Sequence, residues 1–194
     1  MKHITAEQFR AVLAALGEQG AEDVAWSESI APPATAEDFA QEAIFVICNS
    51  GMKNTIAKMI FDRCMSALAA GTPVTDVFKH KGKAAAIEAI WADRDVLLSM
   101  YHACSTDALR LELLVALPWI GNITKFHLAK NFGVNVAKPD VHLQRLATRE
   151  DCTAQALCER LATEVGLRAA TVDVVLWRAC ANGVINSRTG EIAA

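Results

Sequence analysis

Leu117-Pro118-Trp119-Ile120-Gly121-Asn122-Ile123-Thr124-Lys125, followed by Phe132-Gly133 and then by Lys138-Pro139-Asp140-Val141-His142-Leu143-Gln144-Arg145-Leu146-Ala147, is the stretch on which the reading of this 194-residue chain turns. Its first part reads as helix, hairpin, helix. Leu109, Leu113 and Leu114 lie at helical spacing over Thr106 to Leu117, Pro118 to Gly121 break the pattern, and a helix resumes over Asn122 to Asn131. Gly121 leaves the hairpin backbone bare, so an approaching group meets no side chain there. The N–H groups that open the second helix have no partner within it, and the helix dipole favours an anion beside them. Gly133 stops that helix, and Pro139 restricts Lys138 and starts the next one. Read alone, the first part is equally well an ordinary pair of antiparallel helices.

Outward from this stretch, helical periodicity dominates and alternating β-branched runs are scarce. Thr5, Glu7 and the apolar Phe9, Val12, Leu13 and Leu16 predict a short helix that ends at Gly17. Ala21 to Pro33 reads as a polar connector carrying Trp26. Thr35 with Asp38 forms a capping box for an apolar helix through Ile47, and Asn49-Ser50-Gly51 breaks it. Further helices are predicted from about Lys53 to Leu68, Lys83 to Trp91, Asp95 to Tyr101, Ala154 to Val165 and Thr171 to Ala181, with a single turn at Thr75 to Phe78. The expected fold is therefore all-α, with about ten helices and short connections.

The chain is 53% hydrophobic and 21% charged, which excludes a disordered or low-complexity protein. Apolar runs are too short to span a bilayer, and the start from Met1 to Arg10 lacks a secretory leader pattern, so an intracellular, cytoplasmic protein is expected. Cys48, Cys64, Cys104, Cys152, Cys158 and Cys180 then read as reduced thiols, and none of them forms a Cys-x-x-Cys pair. The net charge of −3 argues at first against nucleic acid as a partner, but the charges are segregated. Two basic residues against eight acidic ones leave Met1 to Ile44 at −6, whereas five basic residues against Asp140 leave Trp119 to Arg149 at +4.

The hairpin together with Asp140-Val141-His142-Leu143-Gln144-Arg145 resembles the helix-hairpin-helix DNA glycosylases. That superfamily includes endonuclease III and the 8-oxoguanine, adenine-mismatch and alkylbase glycosylases. Their hairpin commonly reads Leu-Pro-Gly-(Val/Ile)-Gly-x-Lys-Thr-Ala and is followed by an aspartate in the pattern Asp-x-His-x-x-Arg. This chain matches at Leu117, Pro118, Ile120, Gly121 and Thr124, then at Asp140, His142 and Arg145. Ile47-Cys48-Asn49-Ser50 with Ile56-Ala57-Lys58 is similar to the first helix pair of the 8-oxoguanine enzymes, and Lys83-Ala84-Ala85-Ala86-Ile87 to a later family helix.

The resemblance implies a two-lobed fold, with residues 35–134 forming one helical lobe and 1–34 plus 135–194 the other, and the active site in a cleft between them. It implies hydrolysis of the N-glycosidic bond of a damaged or modified base in double-stranded DNA, by a monomer that extrudes the base. Asp140 takes the place of the catalytic carboxylate. Leu117, Trp119, Gly121, Ile123, Thr124, Lys125, His142 and Arg145 take DNA-contacting positions, and Lys130, Lys138 and Arg149 are further candidate phosphate anchors. Ser50, Met52, Lys53 and Asn54 are candidates for the wedge that fills the vacated stack. Trp26, Tyr101 and His127 are candidates for the base pocket, with core or surface packing the competing reading for each. Backbone carbonyls of Val115, Leu117 and Ile120 take the place of a site for K+ or Na+. Three departures stand out. Ile123 replaces the lysine nucleophile of bifunctional members, so a monofunctional hydrolase without lyase activity is implied. Trp119 replaces a hairpin glycine. The four-cysteine iron–sulfur loop is missing, and no other cofactor is implied. The alternatives are a bifunctional 8-oxoguanine-type enzyme with a displaced lysine, an inactive protein that binds DNA structure, and a helical scaffold without a DNA role.

Overall fold

The computed structural model describes residues 3–193; Met1 and Lys2, which belong to the start read for a leader, and Ala194 lie outside the described residues. The described residues form ten α-helices and no strand. In chain order they are α1 (Ala6–Ser29), α2 (Ala36–Asn49), α3 (Asn54–Ala69), α4 (Lys81–Ala92), α5 (Arg94–Ala103), α6 (Asp107–Ala116), α7 (Thr124–Asn131), α8 (Val141–Arg149), α9 (Ala154–Val165) and α10 (Ala169–Ala181), with a 3-10 turn at Val74–Asp76. A lone bridge pairs Ile185 with Ile192. None of these helices is long and apolar enough to cross a membrane. No disulfide links the six cysteines, all of which are among the described residues.

The capping signals explain most helix starts. Thr5 bonds the Gln8 N–H and Gln8 answers the Thr5 N–H; Thr35 and Asp38 do the same for α2. Thr106 and Thr153 cap α6 and α9 with their hydroxyls. The predicted connector from Ala21 to Pro33 is corrected: α1 continues to Ser29. Gly17 does interrupt it, at φ 58 and ψ −135, a backbone region open in practice only to glycine, but the helix resumes at once. The second half was missed because its buried face carries few apolar residues. It packs on α10 through Gly20, Ser27 and polar pairs: Asp23 with Arg178 at 2.7 Å, Ser27 with Thr171 at 2.9 Å and Gln19 with Asn182 at 2.8 Å.

The described chain divides into two compact units. One takes the residues up to Ala31 and those from Gly133 onward, and the other is Pro32–Phe132. The first unit buries Phe9, Val12, Leu143, Leu146, Leu157, Leu161, Val172 and Leu176 in a single core drawn from α1, α8, α9 and α10. Glu150 fastens the start of the chain to it. This buried carboxylate accepts the Ile4 N–H at 2.6 Å and an Arg160 N–H at 2.7 Å. The second unit is built around α2, buried along Phe39, Ala43, Ile44 and Ile47. Phe39, Tyr101 and Phe132 cluster there, with ring centroids 4.9 to 6.0 Å apart.

Candidate active site and nucleic-acid interface

The hairpin lies in the second unit, between α6 and α7. The Ile120 N–H donates to the Leu117 carbonyl at 3.1 Å, with Pro118 and Trp119 at the turn's two central positions. Trp119 has φ 67, in the left-handed region. Proline followed by a residue with positive φ is the type II turn, whose third position calls for glycine. Trp119 thus adopts a backbone that favours glycine and places its indole against α4. A methyl group at Gly82 would come within 2.7 Å of Trp119 Cζ3, and the ring meets His80 edge-on at 4.9 Å. The indole remains 44% exposed.

Leu117 and Ile120 anchor the turn by burial, while Gly121 faces open space. α7 starts at Thr124 without a side-chain cap, and the Lys125 N–H, bonded to the Gly121 carbonyl at 2.9 Å, belongs to its first turn. Ile123 is exposed, and Thr124, Lys125 and His127 are half-buried. The Lys125 ammonium lies 5.4 Å from the centre of the Phe126 ring. Lys130 is corrected as a phosphate anchor, because the end of α7 buries it to 8% exposure.

The candidate wedge loop is in the same unit, between α2 and α3. Ser50 closes α2, Gly51 turns the chain at φ 73, Met52 is half-buried, and Lys53 and Asn54 are exposed. The ammonium of Lys83, on α4, donates to the Ser50 carbonyl at 2.6 Å and is itself buried. Burial pushes the Lys83 amine below the usual lysine range. This tie was not legible in the sequence, where Lys83 reads only as a helix residue.

Asp140 belongs to the first unit. Its Oδ1 accepts the N–H groups of His142 at 2.9 Å and Leu143 at 3.1 Å, so it is the N-cap of α8, and the side chain is half-buried. Oδ2 has no hydrogen-bond partner among the described residues. The loop before it is held from four sides. Arg168 donates to the Gly133 carbonyl, Asn135 accepts the Ala170 N–H at 3.0 Å, Gln155 accepts the Ala137 N–H at 2.7 Å, and Asp173 accepts the Lys138 N–H at 2.5 Å. Sequence reasoning named none of these four. Asp173 left a signal, as a lone acid inside the apolar run Ala169–Leu176.

His142 and Arg145 lie three residues apart on α8 and so share a face. They do not pair with each other. His142 Nδ1 meets the buried Ser187 hydroxyl at 3.0 Å, and Arg145 makes no hydrogen bond or ion pair among the described residues. Arg149 is turned to the Arg188 carbonyl at 3.2 Å. Burial, and then the nearby Asp140 carboxylate, push the Cys180 thiol up to about 12.

Trp26 is an exposed residue of α1, not of a connector. Tyr101 is corrected as a pocket wall. It is 1% exposed, its ring is taken up by Phe39 and Phe132, and burial pushes its hydroxyl up to about 12. No group of three or more His, Cys, Asp or Glu side chains able to hold a metal ion occurs among the described residues. Comparisons of the chain with protein-family models, with curated proteins and with solved structures return no match.

Proposed function

We propose that this protein is a monofunctional DNA glycosylase, releasing a damaged or modified base by hydrolysis. The observation that carries the proposal is the hairpin and Asp140 motif pair, in which the carboxylate is fixed through one oxygen and the other is left for chemistry. Breaking an N-glycosidic bond puts oxocarbenium charge on the sugar. A carboxylate about 4 Å from that charge, at an effective dielectric near 20, stabilises it by about 4 kcal/mol. The same oxygen can take a proton from the attacking water. The open hairpin backbone, the uncapped start of α7, Lys125 and Arg145 are the candidates for phosphate contact.

The hairpin carbonyls fit a monovalent cation. Val115 is in the last turn of α6, where carbonyls lack helical partners, and the Leu117 oxygen keeps a second lone pair beyond its bond to Ile120. Such an ion would add positive charge beside a phosphate. The protein is proposed to act as a monomer on intracellular DNA.

Asparagine caps a helix as well as aspartate does, so Asp140→Asn removes the charge and keeps α8. On duplexes carrying uracil, hypoxanthine, alkylated purines, 8-oxoguanine or hydroxymethylated pyrimidines, alkali should reveal abasic sites with the wild-type protein. The variant should be slower by about three orders of magnitude, the rate equivalent of 4 kcal/mol. Base release at the wild-type rate by the variant would overturn the mechanism. DNA binding without release of any base would mark an inactive structure-binding protein.

One observation favours a second reading. Burial shifts the Lys83 amine downward, the direction a sugar-attacking lysine needs, and such a lysine would make the protein bifunctional. Its burial under Ser50 favours the monofunctional reading. Borohydride should therefore trap no adduct with DNA; an adduct lost in Lys83→Gln would establish the bifunctional enzyme.

A further inference from the structure

The buried ammonium of Lys83 donates to the Ser50 carbonyl at 2.6 Å, and no carboxylate pairs with it among the described residues. An ammonium taken out of water needs a counter-charge close by. The group that supplies one is Cys48, the next-to-last residue of α2, whose thiolate would favour the charged amine. Cys48 is fully buried and shares a hydrogen bond with Cys64 of α3, which is fully buried as well. A buried thiol is ordinarily a small apolar filler. Two further features set this pair apart. The residues that α3 buries are Ala57, Cys64 and Ala67, all small, and α3 packs on α2, so the two backbones can make the close approach that a disulfide between helices requires. The shared hydrogen bond also separates the two titrations. It pulls the Cys64 thiol below the usual range, and the same bond, with burial, pushes Cys48 above it. A thiolate and a thiol sharing one proton therefore lie beside the ammonium.

We propose that Cys48 and Cys64 form a modification site, a dithiol that hydrogen peroxide converts to a disulfide, with Lys83 steadying the thiolate that reacts. The oxidant must be small, because both sulfurs are closed to bulk solvent. The Cys64 thiolate attacks one peroxide oxygen, the O–O bond breaks, and hydroxide leaves a sulfenic acid on Cys64. The Cys48 sulfur then attacks the Cys64 sulfur, the S–O bond breaks, and the Cys48 proton departs with that oxygen as water. The dithiol loses two electrons and the peroxide gains them. The disulfide removes the negative charge that faces Lys83 and joins the helices on either side of Ser50-Gly51-Met52-Lys53. Oxidation thus disturbs the candidate wedge loop and slows base release. This last consequence rests on the DNA glycosylase reading; the dithiol does not.

The test treats the full-length protein with hydrogen peroxide, alkylates the remaining thiols under denaturing conditions and maps cross-linked peptides by mass spectrometry. Peptides joined at Cys48 and Cys64 are expected, and dithiothreitol should separate them. Lys83→Gln keeps a donor for Ser50 and removes the charge. It should slow the cross-link about tenfold, the fall in thiolate fraction when a thiol pKa rises by about one. Absence of the Cys48–Cys64 link, or links through other cysteines only, would overturn the site, and an unchanged rate in Lys83→Gln would overturn the part given to the ammonium. Base release by the oxidised wild-type protein should fall and return with dithiothreitol, whereas release by Cys64→Ala should not respond to peroxide. Unchanged release by the cross-linked protein would overturn the effect on the loop. If the reduced protein releases no base, the glycosylase reading fails, and the cross-link still decides the dithiol.

Discussion

Trp119 stands where a turn asks for glycine, and its two effects on stability oppose each other. A left-handed backbone costs a non-glycine residue about 1–2 kcal/mol. Covering roughly 100 Å² of indole against Gly82 and His80 returns about 2.5 kcal/mol, as an upper estimate. Packing should win narrowly. Trp119→Gly is expected to destabilise the protein by about 1 kcal/mol in urea unfolding, despite relieving the backbone. A stabilised variant would show that strain dominates. The sequence marked Trp119 as a departure at a glycine position. It did not show what the ring would meet, because Gly82 lies 37 positions away and a glycine has no pattern that announces a ring above it. Tyr101 shows the same blindness in reverse: an aromatic with a polar tip suits a pocket or a core, and only Phe39 and Phe132 decide for the core.

The loop between α7 and α8 is the element on which the candidate chemistry depends. Its backbone makes short internal bonds from Val136 to Val134 and from Asp140 to Lys138, and is otherwise held by side chains from α9 and α10 and by the residue preceding α10. Asp173→Ala would leave the part-buried Lys138 N–H without this acceptor and should cost about 1–3 kcal/mol. Because Lys138 is two residues from Asp140, base release should fall while affinity for abasic DNA holds. Asp173→Asn retains an acceptor oxygen and should restore most of the activity. Loss of binding and release together would mean that the unit as a whole is perturbed. At this scale, helix starts were the most legible part of the chain, since Thr35 with Asp38 and Asp140 after Pro139 are local signals. The second half of α1 was illegible for a physical reason. Its contacts with α10 are hydroxyls, ion pairs and a glycine, and hydrophobic periodicity does not register them.

At the scale of the whole molecule, the all-α class and the number of helices followed from periodicity and short connections, which need no long-range information. The charge segregation that keeps DNA open as a partner was equally a matter of counting. The division of the chain into two units has a consequence for its biosynthesis. Pro32–Phe132 is continuous, whereas the other unit needs α1 and α10 together, with the whole of Pro32–Phe132 between them. Closing a flexible loop of about 100 residues costs about 4 kcal/mol in chain entropy. The inserted unit removes much of that loop when it folds, because Phe132 near its end packs on Phe39 near its start, ring to ring at 4.9 Å. Synthesis should therefore proceed with the inserted unit folding first and α1 waiting, unpartnered, for the last helix. Nascent chains halted before α10 should show Pro32–Phe132 resistant to brief proteolysis and α1 cut. Protection of α1 at that stage would mean that α9 alone suffices to dock it. Chaperones that meet this protein on the ribosome would thus find α1 exposed until α10 emerges.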